Sequence, residues 1–254
     1  MSKRFTDRVV VITGAAAGLG RTSAYAFARE GARQLILVDL NHEGLGETAA
    51  EARKLGAACS IHRVDLSVEA EIQKFGEELC SQHPEIHVLY NNAGAAYGEV
   101  NQFIESVGME KWLKYLAINS LSPLLLSVAL RPSLARAKGV ILNQTSMASF
   151  VPATIYGVTK ATLNSLTYGM AQRFAADGIR VNAIAPGIME TPNAKASLPP
   201  ETYARVQAMQ LLKLQGTADD IANLALFLAS DDARFITCEV VSCDAGNPIR
   251  GWRY

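Results

Sequence analysis

Seven short β-branched or apolar runs alternate with longer segments of helical period along the chain, and this alternation restricts the fold more than any other feature. It is the pattern that repeated βαβ units produce, since two parallel strands need a crossover long enough to hold a helix. The runs are Arg8 to Thr13, Gln34 to Asp39, Ala58 to Arg63, Ile86 to Tyr90, Val140 to Thr145, Arg180 to Ile184 and Glu239 to Ser242. Several are continuously apolar, as expected where helices cover both faces of a sheet. Helical period fills the gaps: roughly Leu19 to Glu30, Glu43 to Leu55, Val68 to Gln82, Glu110 to Ala137, Tyr156 to Ala176 and Ala218 to Leu228. The predicted fold class is α/β, a Rossmann-like doubly wound parallel sheet of about seven strands. No linker, repeat or low-complexity block interrupts it, so residues 1–254 read as a single domain. The segment from Gly187 to Gly216 departs from the rhythm, with a short helical piece at Glu201 to Leu212. Long connections at the carboxyl edge of a parallel sheet carry ligands and lids, so it is expected to be a substrate loop.

Composition excludes several functions. At 254 residues, with 49% hydrophobic and 19% charged positions, the chain can bury a core without a disulfide or metal staple. Lys plus Arg total 24 and Asp plus Glu total 24, so no basic excess favours nucleic acid or an anionic membrane as partner. Cys59, Cys80, Cys238 and Cys243 form no C-x-x-C pair and read as small buried residues of a reduced, intracellular protein. His42, His62, His83 and His87 lack zinc spacing and read as surface or loop residues, so no metal is expected. Lys3, Arg4 and Arg8 precede an apolar stretch, Val9 to Ala17, that superficially resembles a signal peptide. Gly14, Gly18 and Gly20 suit that reading poorly, and no run of 18 apolar residues follows; the expectation is a soluble, cytoplasmic protein without a membrane partner.

The first strand runs into Thr13-Gly14-Ala15-Ala16-Ala17-Gly18-Leu19-Gly20 and then into helical period. Glycines there permit a tight turn, close approach of a pyrophosphate to the backbone and close helix packing, while the helix N-terminus attracts the anion. A structural turn would account for the spacing G-x-x-x-G-x-G alone. Asp39, nineteen residues beyond Gly20 at the end of the second strand, adds an acceptor for both ribose hydroxyls of an adenosine. Its carboxylate would repel a 2′-phosphate, and Leu40, Asn41 and Ala15 to Ala17 offer no cation. NAD is therefore expected over NADP.

With these residues stand Val64-Asp65-Leu66, Asn91-Asn92-Ala93-Gly94, Asn119, Tyr156-Gly157-Val158-Thr159-Lys160 and Asn182-Ala183-Ile184-Ala185-Pro186-Gly187, in that order. From Arg8 to about Gly246 the chain resembles the short-chain dehydrogenase/reductase family in its single-domain branch. The resemblance implies that Asp65 and Leu66 border the adenine and that Asn91, Asn92, Ala93 and Gly94 steady the sheet edge and adenosine ribose. It implies too that Pro186, Gly187, Met189 and Thr191 line the nicotinamide carboxamide, with Thr191 as the side-chain contact. Asp65 and Asn91 are also ordinary strand-end turn residues.

Tyr156 and Lys160 are four apart in a helical segment and share a face. An ammonium beside a phenol favours the phenolate and lowers its pKa from about 10, so Tyr156 can serve as general base for an alcohol or general acid for a ketone. Y-x-x-x-K alone is a common surface pair. The resemblance assigns Lys160 also to the nicotinamide ribose, Ser146 to the substrate oxygen and Asn119 to a proton relay through water to the lysine. Ser146 precedes Tyr156 by ten positions, fewer than is usual in the family, which implies a shortened loop and makes Ser149 the second choice. Asn119 could also cap a helix break, because Pro123 follows four residues later.

Ala95 to Val100, Met147 to Ile155 and Met189 to Leu214 are expected to wall a pocket for a small-molecule substrate, an apolar, cyclic, aromatic or steroid-like secondary alcohol or ketone. Ala194, Ala196, Leu198, Tyr203 and Met209 supply apolar groups, Tyr97 and Tyr203 could bind a polar ligand, and Lys195 and Arg205 stand alone as cations. Two other readings are a 3-oxoacyl-thioester reductase and a non-catalytic dinucleotide sensor. Cys238 and Ala245 stand where the family often has glycine, which suggests different turns. The resemblance implies pairing through the two long helices, Glu110 to Ala137 and Tyr156 to Ala176, as a homodimer or homotetramer, and Trp252 and Tyr254 of the tail 247–254 are expected to insert into a neighbour.

Overall fold

The strand β1 (Val9–Thr13) is Val-Val-Val-Ile-Thr, buried along its whole length, and pairs in parallel with β2 (Gln34–Asp39) and β4 (Val88–Asn91) on its two sides. Adding β3 (Ala58–Arg63), β5 (Val140–Gln144), β6 (Arg180–Pro186) and β7 (Val240–Cys243) gives a seven-stranded sheet of order β3-β2-β1-β4-β5-β6-β7, parallel at every pairing. The computed structural model describes residues 3–95, 100–190 and 199–247. Chain direction across the sheet reverses between β1 and β4, and the crevice outside the carboxyl ends at such a switch point is where α/β sheets hold ligands.

Alternation along the strands separates two cores. Val10, Ile12, Leu35, Leu37, Tyr90, Leu142 and Ile184 belong to one apolar cluster, shared with α1 (Gly18–Arg29) and the later helix Ala218–Ala229. Val9, Val11, Ile36, Val38, Leu89, Ile141 and Val181 belong to the other. Here α3 (Glu69–Gln82) and two later helices, Ser122–Ala137 and Ile155–Phe174, contribute Phe75, Leu126, Leu130 and Phe174. Each fully buried Leu, Ile or Phe contributes roughly 1.5–3 kcal/mol of transfer free energy. The helix α2 (His42–Lys54) lies beside α1, its N-terminus capped by Asn41 on the Gly44 N–H at 3.0 Å.

The expected single helix from Glu110 to Ala137 is instead α4 (Met109–Leu116), a π-turn (Ala117–Leu121) and α5 (Ser122–Ala137). Pro123 explains the change: it has no N–H to give the carbonyl of Asn119, and the Ser122 N–H donates to Ala117, five residues back. By length and composition the stretch Met109–Ala137, with a mean hydropathy of 1.5 in its most apolar window, could cross a membrane. In the fold it carries Leu126, Leu130 and Leu134 against the sheet and buries Ser120, Ser127 and Ser133.

The helix α6 (Ile155–Phe174) starts at Thr154, whose hydroxyl accepts from the Gly157 N–H at 3.2 Å. The piece expected at Glu201 to Leu212 is the shorter α7 (Pro200–Ala208). The last helix, α8 (Ala218–Ala229), opens on a capping box between Thr217 and Asp220. Beside β7, Cys238 and Ala245 both take left-handed backbone, with φ of 66° and 51°. The four cysteines are half-buried thiols, less enclosed than expected. Two histidines are more structural than the surface reading had them. His62 lies on β3, its ring 5.2 Å from that of Phe75, and His87 accepts the Val9 N–H at 3.1 Å. Tyr97, Thr191, Ala194, Lys195, Ala196, Leu198, Trp252 and Tyr254 lie outside the described residues.

Candidate active site

The turn between β1 and α1 is built as a nucleotide cradle requires. Gly14 and Gly18 have φ of 65° and 53°, and a Cβ at Gly20 would come within 2.2 Å of the Gly14 carbonyl oxygen. Around Gly18 the space is open. Ala17 gives α1 no side-chain cap and the first turn holds no acid, so its N–H groups fit a pyrophosphate. Leu19 is half-buried against the core below. Asn92 braces the turn: its Nδ2 donates to Thr13 and Gly14 carbonyls at 3.0 and 3.2 Å. The hydroxyl of Thr13 in turn accepts from the N–H groups of Asn92 and Ala93 at 3.0 and 2.9 Å.

Asp39 ends β2 beside this turn. Its carboxylate accepts from the Ala16 N–H at 3.1 Å and the Asn41 N–H at 3.0 Å, which fixes its plane and leaves each oxygen a further lone pair. The sequence suggested no cation here, yet Arg21 reaches back to the turn. Its guanidinium donates to the Ala16 carbonyl, to Gly44 O at 3.3 Å and to Glu47 Oε2 at 2.7 Å. Asp65 and Leu66 follow β3 at the same edge, both half-buried. The Asp65 carboxylate accepts from Ser67 N–H and O–H at 2.9 and 2.6 Å, which holds it below the usual carboxylate range.

Asn91 faces away from the crevice. Its Nδ2 donates to Asn143 Oδ1 at 2.9 Å and Ser127 Oγ at 3.2 Å, inside a buried polar network that ties β4 to β5 and α5. Asn91 is thus a strand residue bonded within the sheet, and not a turn residue. Gly94 is the member of that motif nearest the chemistry: a Cβ there would lie 3.0 Å from Asn119 Oδ1 and 3.2 Å from Lys160 Nζ.

Asn119 is fully buried in the π-turn. Its Oδ1 accepts the Ala95 N–H at 2.9 Å and its Nδ2 donates to Thr159 Oγ1 at 3.0 Å, so the side-chain amide clamps the loop after β4 to α6. What Pro123 leaves without a helical donor is the backbone carbonyl of Asn119. Lys160 is 3% exposed; its Nζ donates to the Gln144 carbonyl at 2.8 Å and lies 5.8 Å from the centroid of the Tyr156 ring. Burial pushes the ammonium down to about 8. Tyr156 packs its ring beside Val100, Tyr115 and Ile155, and its N–H donates to the Val100 carbonyl at 3.0 Å.

The two candidate serines differ. Ser146 caps a 3-10 turn (Met147–Phe150), accepting from the Ala148 N–H at 3.2 Å, and its own O–H donates to no described residue. Ser149 donates to the Ser146 carbonyl at 2.7 Å and accepts from Asn164 Nδ2 of α6 at 2.8 Å. The short loop is pressed onto α6, since a Cβ on Gly157 would lie 2.9 Å from the Ala148 carbonyl oxygen. Asn164, which holds Ser149, belongs to no motif that a single sequence reveals, and Thr159, which holds Asn119, stands inside the Tyr156–Lys160 motif with nothing in sequence to show its partner.

After β6, Pro186 is buried and Gly187 donates its N–H to the Cys243 carbonyl at 2.8 Å. Met189 is buried, bridged to Gly216. Among the described residues no group of three His, Cys, Asp or Glu side chains is placed to hold a metal.

A family model described as enoyl-(acyl carrier protein) reductase matches residues 14–247. The chain is 33% identical to 2,5-dichloro-2,5-cyclohexadiene-1,4-diol dehydrogenase LinX of Sphingobium indicum over 258 residues, covering 97% of this chain and 98% of that protein. It superposes on 7α-hydroxysteroid dehydrogenase complexed with NADH and 7-oxo glycochenodeoxycholic acid with a TM-score of 0.88 and 29% identity, over 97% and 96% of the two chains. Against L-sorbose reductase of Gluconobacter frateurii complexed with NADPH and L-sorbose the TM-score is 0.86 and the identity 26%, over 97% and 98%. With the glycine turn, the parallel sheet and the Tyr156–Lys160 helix in place, the chain belongs to the short-chain dehydrogenase/reductase family of oxidoreductases.

Proposed function

We propose that the protein is an NAD-dependent dehydrogenase or ketone reductase of secondary alcohols and ketones with an apolar, cyclic body. The observation that carries this reading is Lys160, a buried ammonium held between the Gln144 carbonyl and the ring of Tyr156. Burying an ammonium is costly, and ionisable groups perturbed in this way cluster at functional sites. The cofactor, when bound, supplies the hydride acceptor or donor at nicotinamide C4. Gly14, Gly18, Leu19 and Gly20 would hold its pyrophosphate, Asp39, Asp65, Leu66, Asn92 and Ala93 its adenosine half, and Gly94, Lys160, Pro186, Gly187, Met189 and Thr191 its nicotinamide half. Asp39 and the neutralised pair Arg21–Glu47 support NAD over NADP at the adenosine ribose.

Tyr156 takes the proton of the alcohol as general base, or returns it to the carbonyl oxygen as general acid. Ser146 donates its free O–H to that oxygen. Lys160 favours the phenolate through its charge, and Asn119 offers its backbone carbonyl to a water that passes the proton toward solvent. A dehydrogenase of a ring diol and one of a steroid are among the similar proteins, which supports a cyclic, apolar substrate. The family model's description keeps a thioester reductase as the second reading. Exposed Met109, Leu113, Leu121 and Val128 on α4, the π-turn and α5, with Tyr168 on α6, support pairing of two copies along these helices.

The test is a screen of cyclic and acyclic secondary alcohols and a 3-oxoacyl thioester, with NAD and NADP, following absorbance of the reduced nicotinamide. Tyr156→Phe should lower the rate about 10²- to 10⁴-fold and leave NADH binding unchanged. Undiminished turnover in that variant would overturn the assignment, and turnover of the thioester alone would select the second reading.

A further inference from the structure

We propose that Gln144 is a positioning residue for the nicotinamide nucleoside of the cofactor, its side-chain amide donating a hydrogen bond to an oxygen of that nucleoside. The inference rests on the reading of the site as a nicotinamide dinucleotide site. Gln144 is the last residue of β5, two positions before Ser146, and is paired with Ile184 of β6. It shares a sheet face with Leu142, and hence with Tyr90, Leu142's partner across the β4–β5 pairing. On that face Tyr90, Leu142 and Ile184 belong with Ala15 and Met189 to one apolar cluster, and Asn182, the partner of Leu142 on β6, is a second buried amide. A glutamine at 6% exposure in such a place needs partners for both ends of its amide.

One end is satisfied. The hydroxyl of Tyr90, itself fully buried, donates to Gln144 Oε1. Burial raises the phenol further above its ordinary range, so it stays protonated and remains a donor. This fixes Oε1 inward and Nε2 as the free end. The Nε2 donates to no described residue, and Gln144, as the last residue of β5, stands at the carboxyl edge of the sheet. The backbone carbonyl of the same residue holds Lys160 Nζ at 2.8 Å. Gln144 thus joins the lysine to a fixed amide donor at the edge where the nicotinamide half would lie. A nicotinamide nucleoside offers acceptors of the matching kind in its carboxamide and ribose oxygens.

Dissociation constants of the full-length protein for NADH and for ADP-ribose, measured by calorimetry, test this, because ADP-ribose keeps the pyrophosphate and adenosine but lacks nicotinamide. Gln144→Met, close in shape, should weaken NADH about three- to tenfold and leave ADP-ribose within twofold. Tyr90→Phe, which frees the amide without removing it, should weaken NADH by a smaller factor, again sparing ADP-ribose; it carries the test if Gln144→Met fails to fold. Equal loss of both ligands would make Gln144 a merely structural residue and overturn the inference, as would unchanged NADH binding. Failure of the unaltered protein to bind NADH would overturn the dinucleotide reading itself, and the inference with it.

Discussion

Ser149 donates its hydroxyl to the carbonyl of Ser146 at 2.7 Å, so of two serines three residues apart one has its O–H committed to the loop and the other donates to no described residue. Asn164 completes the division by donating to Ser149 Oγ at 2.8 Å. A hydroxyl committed on both sides is a strut, whereas the Ser146 O–H keeps its proton to offer.

Ser146→Ala should therefore lower turnover by at least about tenfold, the loss of one hydrogen bond to a reacting oxygen, with a small fall in unfolding midpoint from the lost cap on the Ala148 N–H. Ser149→Ala should behave in the opposite sense, destabilising by about 1–3 kcal/mol because Asn164 Nδ2 is left without its partner in the interior. Steady-state kinetics beside thermal unfolding separates the two, and a larger kinetic loss for Ser149→Ala would reverse the assignment.

Lys160→Met should stabilise the cofactor-free protein at pH 7 while abolishing activity. The lysine titrates at about 8 in the fold against an ordinary 10.5, so folding must hold a proton that burial disfavours. The cost is fully present below pH 8 and fades as pH rises toward 10.5, where the unfolded chain also loses the proton. Its full size is about 3 kcal/mol. Part is offset by the bond to Gln144, leaving a gain of about 1–2 kcal/mol in denaturant unfolding. A variant advantage that did not shrink between pH 7 and pH 10 would contradict this account.

Asp39→Ala should narrow the preference for NAD over NADP about tenfold or more in kcat/KM, since the carboxylate that repels a 2′-phosphate is gone. The variant also frees the Ala16 N–H, so its affinity for both cofactors should fall. An unchanged ratio would remove Asp39 from cofactor choice.

Ala245→Gly should stabilise the protein by up to about 1 kcal/mol, because Ala245 holds a φ of 51° that favours glycine. Cys238→Gly at 66° gains similarly in backbone but loses packing against the second core, and should be nearly neutral. Denaturant midpoints of the two single variants check both.

Strand and helix alternation, the glycine turn and the Tyr156–Lys160 spacing are local properties, and the sequence alone determined the parallel sheet, the nucleotide edge and the helix that carries the tyrosine. Periodicity could not show the π-turn at Asn119. Pro123 marks a break, but its form depends on Thr159 and Ala95 arriving from other elements to bind the Asn119 amide. Likewise, nothing local shows that the Ser149 hydroxyl is taken up; Asn164, a turn beyond Lys160 on α6, binds it. Gln144 reads in sequence as the polar end of a strand, and Arg21 as a helix surface residue. Only pairing of β4 with β5 brings the Tyr90 hydroxyl to that glutamine, and only packing of α1 beside α2 sets Arg21 against Glu47. The reason is physical: backbone pattern is set by neighbours along the chain, whereas which polar atoms remain free for chemistry depends on partners that long-range packing brings.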